Sequence, residues 1–176
     1  MKKTIIFAAL ATFNYVNAQT GSSTYAVNMK TAKENAYAYF SKFENTDVTV
    51  NSKALKNFSS RYASATNVQW SNLEKNGSVC HFYLKGILNK AFYNSAGVWT
   101  GTITTYEEVL LPDNIKAIVD ANYPEYIISL VNEINKPHYQ SVFVIELQSL
   151  KYIKEIRITQ DGELDVMQEL EKQNPK

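Results

Sequence analysis

From residue 50 onward the chain states one pattern twice, and that repetition constrains its fold more than any single motif does. The first statement opens with a helical stretch at 52–62, in which Leu55, Phe58 and Tyr62 are spaced to share a face. An extended run follows through Val68 and Trp70, and Lys75-Asn76-Gly77 turns it back. Residues 79–85 and 88–94 read as strands, and Ser95-Ala96-Gly97 turns the chain into a Thr- and aromatic-rich strand at 98–106. The second statement opens at Leu111-Pro112, where a proline fits the first turn of a helix. Ile115, Ile118, Val119 and Asn122 recur at helical spacing, and Pro124 forces Tyr123 out of the helical region. Extended segments at 126–134, 139–147 and 152–159 come next, and Asp161-Gly162 forms a tight turn before Glu163-Leu164. Gly97 lies 35 residues after Tyr62, and Gly162 lies 39 after Tyr123. The pattern predicts an α+β fold built from two units, 50–106 and 111–164, each a helix plus an antiparallel meander. A unit of this size is marginal alone, so the two are expected to share one core.

The segments outside the repeats carry different signals. Lys2 and Lys3, a short apolar run from Ile5 to Phe13, and Val16-Asn17-Ala18 follow the plan of a secretory signal, with cleavage expected near Ala18. The apolar run is shorter than the roughly 20 residues a membrane span needs, so no membrane insertion is expected. Cleavage leaves 158 of the 176 residues, and losing Lys2 and Lys3 takes the formal charge from +1 to −1. A near-neutral chain lacks the basic footprint of a nucleic-acid binder. Residues 19–27 are small and polar, while Met29, Ala32, Ala36, Phe40 and Phe43 predict an amphipathic helix within the 19–49 segment. Residues 166–176 read as a polar tail. The only cysteine, Cys80, has no intramolecular disulfide partner in the oxidising compartment that export implies. The expected location is therefore periplasmic or extracellular.

Catalytic chemistry finds little support. Cys80 and His81 are neighbours on a predicted strand and point to opposite faces, so they cannot act as nucleophile and base. Neither His81 nor His138 has a second histidine or a cysteine at ligand spacing, and Asp161-Gly162-Glu163 is too short for a calcium loop. Glu107-Glu108 and the acidic residues from Glu163 to Glu171 read as solvated charge. No nucleophile elbow, phosphate cradle or dinucleotide fingerprint is present, so no catalytic residue, metal or cofactor is assigned. Aromatic residues are the better lead: Trp70, Tyr83, Trp99, Tyr106, Tyr139 and Tyr152 lie on or beside predicted strands, where they serve as core or as anchors for a partner.

The run from Phe58 to Trp70 (FSSRYASATNVQW) resembles a signature of the PepSY-like proteins, small exported bacterial proteins grouped with the β-lactamase-inhibitor-protein-like (BLIP-like) fold. Leu111-Pro112 before the second helix, Tyr123-Pro124 after it, and Asp161-Gly162-Glu163-Leu164 match further family positions. The resemblance covers about residues 50–165 and departs at two turns, with Ala63 where a proline is usual and Ala96 where an acidic residue is common. It implies a curved sheet with helices on one side. The other face would then be concave and free for a partner, with His81, Tyr83 and Lys85 from the first unit and Val142, Val144, Glu146, Glu155 and Arg157 from the second. The phase of every strand matters here, because a one-residue slip inverts the set. The expected function is a non-enzymatic binding or inhibitory module for an envelope or secreted protein or peptide. The alternatives are a hydrolase, which needs a deep pocket holding perturbed ionisable groups, and a small-molecule carrier, which needs an enclosed apolar cavity.

Overall fold

The computed structural model describes residues 48–73 and 77–172. The expected signal at 1–18, the amphipathic helix within 19–49 up to residue 47, and part of the turn at 75–77 lie outside the described residues.

The element order is helix, four strands, helix, four strands. Helix α1 (Ser52–Arg61) starts at Asn51, whose side-chain oxygen accepts a 2.9 Å hydrogen bond from the backbone of Lys53. Such a cap satisfies one of the helix's orphan amides. Strands β1 (Thr66–Asn72), β2 (Ser78–Leu84), β3 (Ile87–Tyr93) and β4 (Trp99–Tyr106) follow. A short 3₁₀ turn at Glu108–Leu110 leads to α2 (Asp113–Asn122), then β5 (Ile127–Asn135), β6 (Val142–Gln148), β7 (Tyr152–Thr159) and β8 (Leu164–Glu171). All eight strands form one antiparallel sheet in sequence order.

Local geometry is closely matched between the halves. Each helix stops at a tyrosine with nearly the same backbone, Tyr62 at φ −127°, ψ 50° and Tyr123 at φ −136°, ψ 56°. Each of these tyrosine amides donates a 2.8 Å bond to the carbonyl four residues back, Phe58 and Val119. Both last hairpins turn on a positive-φ glycine, Gly97 (φ 76°) and Gly162 (φ 93°), whose amide bonds to Asn94 and Thr159 respectively. Gly97 also has no room for a side chain, because a Cβ there would lie 2.7 Å from Oδ1 of the Asn51 cap.

Register shows that both helices cover the same face. Phe82, Asn89, Thr104, Glu133, Phe143 and Ile158 are successive cross-strand partners, so they share a side of the sheet. Phe82 packs in the cluster around Ala54 and Phe58 of α1, and Phe143 and Ile158 pack around Ile115 and Val119 of α2. The helix faces differ in detail from expectation. Leu55 is 43% exposed, since Ala54 and Phe58, four apart, set the buried stripe of α1 and Leu55 lies off it.

The expectation of one shared core needs correction. The buried residues form two clusters, one under each helix. The helix-side positions between them are largely polar and mutually bonded. Thr104 donates to Asn89 at 2.8 Å, and Ser141 donates to Asn135 at 2.7 Å. Glu133 accepts from the Tyr106 hydroxyl at 3.0 Å, while burial and then that carboxylate push the Tyr106 hydroxyl pKa up. A polar seam of this kind is stable because its groups satisfy one another. The sheet is continuous across it, while the apolar core is not.

Two boundaries also move. Lys85 is not the last residue of β2; with Gly86 it forms the hairpin turn, both at positive φ (52° and 79°), as a type I′ connection requires. The expected tail begins as strand, because β8 pairs with β7 from Leu164 to Glu171.

Cys80 is fully buried against α1, and burial pushes its thiol up to about 12. The native protein is expected to resist thiol reagents at pH 8, and Cys80→Ser is expected to cost about 1–3 kcal/mol for an unpaired hydroxyl. Stoichiometric labelling within seconds, before any unfolding, would show that this face is accessible.

Candidate functional site

Side chains alternate along a strand, so the neighbours of Cys80, Phe82, Ile145 and Ile156 face away from the helices. This places His81, Tyr83, Val142, Val144, Glu146, Glu155 and Arg157 on the face opposite α1 and α2, and two cross-strand rows organise it. One row runs Gln69, His81, Lys90, Ile103, Ile134, Val142, Thr159. The next runs Tyr83, Leu88, Thr105, Asn132, Val144, Arg157, Asp165. At about 4.8 Å per strand, seven strands span roughly 29 Å. Lys85 stands apart at the β2–β3 tip and is exposed.

The face is apolar in the middle and charged toward its sides. Leu88, Ile103, Ile134, Val142 and Val144 form the centre. His81 and Lys90 pair across β2 and β3; Glu146 and Glu155 pair across β6 and β7. His81 is only 8% exposed and Val144 7%, so this face is more enclosed than a bare sheet surface. Burial, and then the Lys90 charge, lower the His81 imidazole to about 4, and burial lowers Lys90 as well. On the other side, burial and then the Glu146 carboxylate raise Glu155. Ser129 donates to Glu146 at 2.6 Å, Thr105 donates to Asn132 at 2.7 Å, and Arg157 is paired with Asp165. Among the described residues, no three metal-ligating side chains converge and no helix is long and apolar enough to cross a membrane.

Of the aromatic candidates, Tyr83 alone lies on this face. Trp70 packs under α1 and Tyr106 in the α2 cluster, Trp99 lies beneath Arg61, and Tyr139 is exposed in the β5–β6 loop. Tyr152 pairs with Glu171 at the far end of β7. For this face the sequence reading named no residue from β3, β4 or β5, although these strands supply Leu88, Lys90, Ile103, Thr105, Asn132 and Ile134. Their alternation was visible in the sequence; their place between the two halves of the face follows only from the β4–β5 pairing.

Solved structures share this architecture. The chain matches a DUF2874 family protein from Bacteroides uniformis with a TM-score of 0.59 and 20% identity, over 70% of this chain and 90% of that one. It matches a BLIP-like protein from Bacteroides fragilis with a TM-score of 0.59 and 15% identity, over 73% and 91%. A third, from Bacteroides eggerthii and described provisionally as periplasmic, gives 0.59 and 17% over 70% and 90%. No protein-family model and no curated protein matches the sequence. The fold is therefore BLIP-like.

Proposed function

We propose that the chain is an exported, non-enzymatic binding or inhibitory module whose sheet face opposite α1 and α2 meets a protein or peptide partner outside the cytoplasm. The observation that carries this reading is the continuous seven-strand face, on which Leu88, Ile103, Ile134, Val142 and Val144 lie alongside Lys90 on β3 and the Glu146–Glu155 pair on β6 and β7. An apolar centre with a polar, charged rim is the usual anatomy of a specific interface. The BLIP-like fold and the provisional periplasmic description of one neighbour agree with it. So does the run from Phe58 to Trp70, which supports placement among PepSY-like proteins. The matched helix ends and hairpins support reading the halves as copies of one unit.

Tyr83 is the aromatic anchor of this face. With the immobilised protein and envelope extract, a partner retained by the wild type is expected to be lost with Tyr83→Ala, by about 2 kcal/mol or roughly thirtyfold. The same partner should be kept by Lys56→Ala on the exposed side of α1. Equal recovery with Tyr83→Ala would sink the assignment of this face.

A further inference from the structure

We propose that a second site, on the helix side, binds an extended acidic peptide in the cleft between α1, the β3–β4 turn and the β5–β6 loop. The cleft holds about 590 Å³ and is lined by Lys53, Asn57 and Arg61 along one stripe of α1, facing Trp99, Pro137 and His138. That volume lies within the range of natural ligand sites. Among the described residues no acidic side chain lines it. Lys116, Lys154 and Arg157 each have a carboxylate partner; Lys53 and Arg61 have none among the described residues.

The shape of the cations selects the ligand. The Arg61 guanidinium lies over the Trp99 ring, 4.0 Å from its centroid. The indole is itself fixed, with its N–H donating 3.0 Å to Thr102. Stacking holds the guanidinium plane while leaving its edge donors for a carboxylate, which they match in bidentate fashion. It also covers that face of the indole against a nucleobase. The Asn57 side-chain oxygen accepts from the Tyr93 hydroxyl at 3.3 Å, so the amide nitrogen is the end left to donate.

The spacing is that of a strand. Lys53 and Arg61 are eight helical residues apart, about 12 Å, with Asn57 midway at about 6 Å. An extended peptide advances about 13 Å over four residues and 6.6 Å over two, with these side chains on one side. Acidic residues at positions 1 and 5, with a hydrogen-bond acceptor at 3, therefore meet Arg61, Lys53 and Asn57 in register.

Fluorescence anisotropy with a labelled peptide bearing Glu at positions 1 and 5 and Ser at 3 tests this. Specific binding is expected, weakened about tenfold by Lys53→Gln and by Arg61→Gln and about a hundredfold by both together, since sites this far apart are nearly additive. Arg61→Lys is expected to weaken it as well, through loss of the bidentate geometry. Melting curves should confirm that the variants remain folded, and Tyr83→Ala should bind the peptide normally, which separates this site from the sheet face. No binding, or binding unchanged in the double variant, overturns the proposal. Equal binding of a peptide with adjacent glutamates, of anionic lipid vesicles or of a single-stranded oligonucleotide overturns it in favour of an unselective anion patch.

Discussion

Replacing Phe58 with alanine is expected to destabilise the protein by about 3–5 kcal/mol, a large part of the roughly 5–15 kcal/mol that holds such a domain together. Phe58 is 7% exposed and touches three other rings, with centroids 5.3 Å from Tyr62, 5.4 Å from Trp70 and 5.0 Å from Phe82. The last two contacts are edge-on, the favourable arrangement for aromatic quadrupoles. Alanine would leave a cavity that the sheet cannot close from below. The polar seam confines the direct damage to the cluster under α1. The sheet nevertheless carries it further, because β4 pairs with β5 over five residues and contributes Tyr106 to the cluster under α2. The expected result is one cooperative transition, with Trp fluorescence reporting the first half at the same midpoint as far-UV circular dichroism reports the whole. Hydrogen exchange should show protection lost first in β1–β3 and then throughout. Two separated transitions, the second at the wild-type midpoint, would mean that the halves fold independently.

Acid should destabilise the protein through His81. An imidazole lowered from 6.5 to about 4 in the folded state stays neutral where the unfolded chain already binds a proton. Its contribution is therefore complete above about pH 6.5, declines as pH falls, and is gone below about pH 4. A shift of this size corresponds to about 3 kcal/mol. Carboxylates titrate over the same range, so the informative quantity is a difference. Stability of the wild type minus that of His81→Gln should fall by this amount between pH 7 and pH 4 in urea melts. A flat difference would show that His81 is protonated as readily in the folded protein as in the unfolded chain. Because His81 and Lys90 lie side by side on the proposed binding face, a partner that brings a carboxylate there would raise the imidazole pKa and reduce this acid sensitivity.

Much of the architecture was legible because short-range physics writes it into the chain. Pro112 and Pro124 around the second helix and the glycines at 97 and 162 act within a few residues of themselves, so the two helices and most strand bounds could be read directly. The phase of β2 and β6 was open to a one-residue slip, and it is packing under the helices that turns Cys80, Phe82, Ile145 and Leu147 to the buried side. The reading failed where local signals are weak or misleading. Lys85 looks like a strand residue until it takes φ 52° in the turn. The acidic character of 164–171 hid a strand because β8 is an edge, where one side of the backbone has no ladder partner and charged side chains are tolerated.

By itself, the sequence determined that this chain forms two helices and two sets of antiparallel strands. These follow from backbone preferences and from the two-residue period of a strand. Tertiary structure alone decided that β4 joins β5 into one eight-stranded sheet, that the core splits into two clusters about a polar seam, and that Arg61 stacks on Trp99 beside a cleft that Lys53 also lines. Each of these depends on which distant residues meet. Asn89, Thr104 and Glu133 read as unremarkable strand residues until pairing stacks them in a single row, and a row exists only once separate strands have found their register.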